Sequence, residues 1–299
     1  MAEVDPSDIW NAEIPATERC LWNARLFCES QLDLDGAVHI YSEGSLLPAS
    51  RLTLTWLQDQ LLQMPATTWQ RAWQACGADW LHDWSHRHRN WLPALVRAAR
   101  AADSAAPLDP ASALRAHADA DGQCALSAAL ALQHGFALHP LWQGESAHTG
   151  SWTRLNDLSA DLPLTPWALL GSRIAELIRL CQPDAPGQSG AGWLSFGSLR
   201  TGPRQGMAWV EMARGLLVHQ VEIDGTGGDA RVAACRVLAP TEWNFHPQGV
   251  VAQTIAALDG GQPAEDTERR VRLLMAAFDP CVPFDVTHAL PAGQEVQHA

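Results

Sequence analysis

Phe278-Asp279-Pro280-Cys281-Val282-Pro283-Phe284-Asp285-Val286-Thr287-His288 is the stretch on which the reading of this chain turns. It offers one thiol, and thiolates are soft ligands suited to transition metals. Three residues after Cys281, where a second cysteine would complete a chelating pair, stands Phe284, whose ring cannot bind a metal. The seven cysteines, at 20, 28, 76, 124, 181, 235 and 281, include no C-x-x-C pair. Their odd number and scatter fit neither a disulfide framework nor a zinc ribbon.

Around this stretch lie 299 residues, enough for one large domain or two smaller ones. A formal charge of −13 argues against nucleic acid, whose phosphates need a basic face, and is compatible with docking on a basic protein. No apolar run reaches the 18 residues of a membrane span, and the acidic start Met1-Ala-Glu-Val-Asp-Pro is unlike a signal peptide. A cytoplasmic protein with reduced thiols is expected. Fourteen tryptophans against one tyrosine make indole the main aromatic packing group.

The first 45 residues read as irregular or strand-rich, with a strand–turn–strand candidate at 31–41. From 51 to about 139 the pattern is helical, and Pro65 and Pro93 bound a long helix. On it Trp69, Trp73, Trp80, Trp84 and Trp91 fall within roughly 60° of one another. That stripe is either an aromatic seam in the protein's own core or a docking face for a partner helix. Residues 101–111 form a loop or linker, followed by helices at 111–118, 122–134 and 165–182, with a surface loop at 182–192. Strands are expected at 207–214, 216–223 and 230–238, with a turn at 225–228, then helices at 248–258 and 264–277. The fold class is α+β, mainly helical, with a small antiparallel sheet. It divides into a divergent part, 1–105, and a C-terminal part, 106–299. His82 and His86, at i and i+4, have chelating spacing but also suit a solvated helix face.

Three segments point to one family. Glu211-Met212-Ala213-Arg214-Gly215 with His219 resembles Glu-x-Pro-Arg-Gly…His. Ala239-Pro240-Thr241-Glu242-Trp243-Asn244-Phe245-His246-Pro247 resembles Pro-[Ser/Thr]-x-Trp-Asn-x-x-Pro. Asp279-Pro280-Cys281 resembles the start of Asp-Pro-Cys-x-x-Cys-x-x-His. These are signatures of nickel-iron hydrogenase large subunits. A weaker match is His148-Thr149-Gly150-Ser151-Trp152-Thr153-Arg154 to Glu-x-Gly-Pro-Leu-Ala-Arg. Glu43-Gly44-Ser45-Leu46 resembles Glu-Gly-His-Leu, and Cys76-Gly77-Ala78-Asp79 the Cys-Gly-x-Cys pair, with Asp79 at the second cysteine. Because its thiol set is broken, the chain resembles hydrogenase expression/formation proteins of the HupK/HoxV type, which look like shortened large subunits.

The resemblance implies a shortened large-subunit-like fold and a maturation factor rather than an enzyme. It would be a scaffold that transiently holds iron as Fe(CN)2(CO), without nickel, and passes it to the large-subunit precursor. Its other partners would be the upstream iron-cofactor assembly complex and its small chaperone; no nucleic acid or membrane is implied. Cys281 and Cys76 are assigned to the iron, Arg214 and Thr241 to its diatomic ligands, and Asp279 is counted among the cofactor-binding residues. The second iron ligand stays open among Cys76, Cys124, Cys235 and groups other than thiols. Each residue also has a plain structural reading: an ion pair from Arg214 to Glu211 or Asp279, turn capping by Thr241 and Asn244, an inert buried thiol at Cys281. Thr287 occupies the family histidine's position and His288 follows one residue late, so no proteolytic removal of a C-terminal tail is expected. The alternative function is a chaperone or structural partner of the large subunit that carries no cofactor.

Overall fold

The structure is a computed structural model that describes residues 54–103, 108–109, 112–154, 164–181, 195–225, 230–258 and 261–287. The 31–41 strand candidate, Glu43-Gly44-Ser45-Leu46, the 182–192 loop and His288 lie outside them. Among the described residues the architecture is α+β, with most helices packed on one another and one four-stranded sheet packed against a few of them.

A π-helical turn, Leu57–Leu62, leads into α1, Ala66–Arg87. Pro65 starts α1 but Pro93 does not end it. Helix α1 stops at Arg87, His88 is extended, and α2, Trp91–Ala102, carries Pro93 as its third residue. In that first turn a missing N–H costs nothing. The Trp stripe is therefore not on one straight helix. Gly77 breaks α1 internally with φ 50° and ψ −120°, a conformation open to glycine. Trp69, Trp73 and Trp84 are buried in the core, whereas Trp80 and Trp91 pack partly buried on its margin. Trp69 stacks on Trp73 with centroids 5.6 Å apart and meets Trp84 edge-on at 5.8 Å. The indole N–H of Trp84 donates to Leu62 O at 3.1 Å. The seam belongs to the protein's own core.

Residues 112–119 form turns rather than the expected helix. Leu114 N–H donates to His148 O, and His148 N–H to Ser112 O, so this backbone is spent on another segment. Helix α3, Ala120–Leu132, begins where Asp119 accepts from Gly122 N–H. Helix α4, Pro166–Cys181, is central, with twelve of its sixteen residues buried. One face joins the tryptophan core; another packs with α6, Val250–Ala256, and α7, Ala264–Phe278. No helix among the described residues is long and apolar enough to cross a membrane.

The sheet is an antiparallel meander in the order β1-β2-β3-β4. Three strands fall near their expected places: β2 Gln205–Met212, β3 Gly215–Asp224 and β4 Arg231–Leu238. The first, β1 Phe196–Gly202, was not expected. It carries two glycines, and its apolar residues Phe196 and Leu199 do not alternate with polar ones, although its exposure alternates in the sheet; the Trp209 ring lies over Gly197. On the inner face Met207, Leu216, Val218 and Leu238 pack with Leu126, Leu130, Phe136 and Trp243. Gln220, buried in this layer, donates to Ser127 O and Oγ at 2.7 Å.

Candidate functional site

The segments that carry the sequence signatures are far apart in the chain and meet in space. At the centre lies Thr149. Its N–H donates to Asn244 Oδ1 and its carbonyl accepts from Asn244 Nδ2, both at 2.8 Å. This side-chain amide mimics a strand pairing, and it ties the 148–154 segment to α5, Pro240–Asn244. Asn244 thus reaches across the fold rather than capping its own turn. Thr149 Oγ1 accepts from Leu216 N–H at 2.9 Å, which ties the same segment to β3.

The β2–β3 hairpin turns through Ala213 and Arg214, between the paired residues Met212 and Gly215. Gly215 has φ +128°, and a Cβ there would stand 2.4 Å from Thr149 Cγ2. Both the conformation and the space demand glycine. Gly215→Ala should cost about 2–3 kcal/mol through backbone strain and displacement of Thr149. A denaturation midpoint unchanged from the parent would contradict this.

Arg214, at the hairpin tip, donates from Nε to Asp279 O at 2.7 Å, and its Nε lies 3.1 Å from the Asp279 carboxylate. The ion-pair reading of Arg214 is thus realised with Asp279. Asp279 terminates α7 in the left-handed region, φ 50°, with its N–H on Met275 O. Aspartate tolerates that region better than most side chains. Beneath it, Phe278 takes Trp152 and Phe245 edge-on at 5.4 and 6.4 Å. Two residues on, Cys281 is exposed, which rules out the inert buried thiol. Its Sγ lies 3.9 Å from Thr241 Oγ1, within reach of a weak sulfur hydrogen bond. Val282 and Phe284 stand 61% and 43% exposed beside it. Arg214, Thr241, Asp279 and Cys281 therefore form one cluster.

Cys76 is exposed on α1 beside the Gly77 break, and no contact among the described residues joins it to this cluster. Cys124 and Cys235 are also exposed. No group of three or more His, Cys, Asp or Glu side chains converges among the described residues as a metal cage would. His82 and His86 lie exposed with rings 4.3 Å apart; His86 Nδ1 meets His82 O, and Asp83 pairs with Arg87. That is the solvated helix face. His219 is exposed on β3.

A buried charge network underlies the cluster, and most of it escaped the sequence reading. Arg154 is bound to the Glu176 carboxylate, through Nε at 3.0 Å and also through Nη2, and it donates to Met212 O. Burial pushes the Glu176 carboxyl up, and the Arg154 charge and hydrogen bonds pull it back only in part. Glu211 accepts from His117 Nε2 at 2.9 Å and from Ser195 N–H at 2.6 Å. Burial raises it, but these hydrogen bonds and the charge of Arg154 leave it below the usual carboxylate range. Arg173, on α4, donates to the Asp279 carboxylate at 2.8 Å and to Ala277 O at 3.4 Å. The signal was present in the sequence: Arg173, Glu176 and Arg179 are charges in a largely apolar helix, and charges in such places are paired.

His148 is 1% exposed. Its Nδ1 accepts from Trp152 Nε1 and its Nε2 faces Asp109 O, which assigns the neutral Nε2–H tautomer. Burial holds it below 6.5, although Asp109 works the other way. Below pH 6.5 the unfolded chain takes up a proton there that the folded protein refuses. Stability therefore falls with pH from 6.5 down to the lower folded value. The thermal midpoint should decline through that window, and more shallowly in His148→Gln. Equal slopes would remove His148 from the account.

The chain is 34% identical to the hydrogenase expression/formation protein HoxV of Cupriavidus necator over 295 residues, covering 97% of this chain and 74% of that protein. It is 41% identical over 159 residues to the hydrogenase expression/formation protein HupK of Rhizobium leguminosarum bv. viciae, covering 51% of this chain and 41% of that one. A HupK of Bradyrhizobium diazoefficiens is 37% identical over 147 residues, 48% of this chain and 39% of its own length. No family model matches the chain, and no solved structure matches it.

Proposed function

We propose a function from one premise: the chain belongs to the HoxV/HupK family of hydrogenase expression/formation proteins, and its role lies in hydrogenase maturation. In this reading it is a scaffold, not an enzyme. It receives Fe(CN)2(CO) as cargo from the assembly complex and its small chaperone, and passes it to the large-subunit precursor. Its α+β architecture is then a shortened version of that subunit.

The observation that carries the reading is the exposed Cys281 thiol, next to the Thr241 hydroxyl and two residues along the chain from Asp279, which pairs with Arg214. The residue types fit the cargo. Cys281 supplies a soft thiolate for iron. Thr241 and Arg214 supply donors for cyanide nitrogens, the guanidinium giving charge-assisted bonds. Phe284 removes the thiolate that a nickel site would need. Cys76, the other proposed iron ligand, would have to act from α1. A scaffold gains from this poverty of ligands, because the cargo must leave. Transfer exchanges the iron–sulfur bond to Cys281 for one to a precursor thiolate, without a change of oxidation state.

The test is an infrared spectrum of protein purified without oxygen from cells that express the whole maturation set. Carbon monoxide and cyanide bands are expected, and Cys281→Ala should weaken them at least about tenfold. Absence of bands from a protein that still copurifies with the precursor would favour the alternative, a chaperone without cargo. The lack of a three-ligand metal cage among the described residues is what keeps that alternative in play.

A further inference from the structure

The Asp279 carboxylate is shared by two guanidiniums that are held differently. Arg173 comes from the central helix α4, its side chain is 12% exposed, and it also binds the Ala277 carbonyl. Arg214 comes from a hairpin tip and is 24% exposed, and its Nε bonds the Asp279 main chain. Asp279 itself, 31% exposed, is fixed in place at the end of α7. One carboxylate thus faces two permanent cations.

From this arrangement we infer that Arg173 is a positioning residue which lets Arg214 change partners. The inference rests on the cargo reading above. A guanidinium that is the sole counter-ion of a half-buried carboxylate cannot turn away without stranding that anion. Arg173 removes the difficulty. It keeps Asp279 compensated while Arg214 rotates from the Asp279 carbonyl and carboxylate toward a cyanide nitrogen of the cargo. When the cargo departs, Arg214 returns to Asp279. The pair of arginines makes the site reversible, as a transfer scaffold requires. Among the described residues Arg173 hydrogen-bonds the Ala277 carbonyl and the Asp279 carboxylate, and its effect on the cargo runs through Asp279.

Infrared spectra of the co-expressed, anaerobically purified protein test this. Arg214→Lys should shift a cyanide band. Arg173→Gln should shift the same band and weaken the cargo bands at least about fivefold, although the residue is remote from the cargo. Arg173→Lys, which keeps the charge, should stay near the parent. Arg173→Gln combined with Asp279→Asn should move the band back toward its parental position, because the Asp279 carboxylate then no longer detains Arg214. In the empty protein, proton exchange at Arg214 Nε–H should slow in Arg173→Gln and quicken in Asp279→Asn. Parental bands that neither move nor weaken in Arg173→Gln overturn the inference and leave the cargo reading standing. A double variant as weak as the single one does the same. No bands in the parent protein overturn both. Should Arg173→Gln not fold, a shifted band in Arg173→Lys would count against the inference, since that variant keeps the compensating charge.

Discussion

Glu176→Ala is expected to destabilise the protein by about 3–5 kcal/mol, because it strands a buried cation. Arg154 is 2% exposed and Glu176 5% exposed, so water can reach neither freely. Arginine cannot discharge itself by losing a proton. With Glu176 gone, Arg154 would keep the Met212 carbonyl and the more distant charge of Glu211, and its Nη1 already lacks a hydrogen-bond partner among the described residues. Glu176→Gln should cost less, since an acceptor remains. Replacing both residues by leucine and methionine should recover part of the loss, because the desolvation cost of two charges disappears with them. Urea midpoints at constant slope measure all three. A loss below about 1 kcal/mol in Glu176→Ala would mean that water or rearrangement neutralises Arg154.

Trp84→Ala should cost a similar amount, about 4–5 kcal/mol, by another route. The ring is fully buried and packs edge-on against Trp69. Its removal leaves a large void in the first core and an unmet Leu62 carbonyl. Trp84→Phe separates the two contributions. It keeps most of the volume and loses the hydrogen bond, so about 1–2 kcal/mol is expected. Whole domains are stable by only about 5–15 kcal/mol, so Trp84→Ala should be substantially unfolded at moderate urea. Near-parental unfolding of Trp84→Ala would return the tryptophan stripe to the docking reading.

How much of this could be read from the sequence depends on where the backbone finds its hydrogen bonds. Helices α3, α4 and α7 satisfy their own; the periodic apolar faces of α4 and α7 and the Ala/Leu-rich run of α3 put them close to the expected 165–182, 264–277 and 122–134. The 111–118 segment has helical composition, yet its backbone pairs with His148 and its His117 binds Glu211. No local pattern announces either contact. Strand β1 likewise depends on β2, with glycine where a side chain would have signalled a strand. The Cys281 cluster was legible as separate motifs because the segments that carry Arg214, Thr241 and Asp279 resemble those of nickel-iron hydrogenase large subunits. Arg173 was not, since its purpose is visible only once α4 lies beside the end of α7.

The sheet and the Thr149 crossing differ in one more respect, the length of chain that each must gather. The meander joins strands that follow one another, so each hairpin closes a short loop. The bonds between Thr149 and Asn244 span 95 residues, and that from Arg214 to Asp279 spans 65. Closing long loops costs entropy before any contact repays it, and local structure is therefore reached first. The sheet should form early, while the place where Cys281 meets Thr241 comes together near the end of folding. If the chain is the cargo scaffold proposed above, a half-folded chain, whatever thiols it exposes, has no assembled site to load, and readiness for cargo is a late checkpoint set by topology.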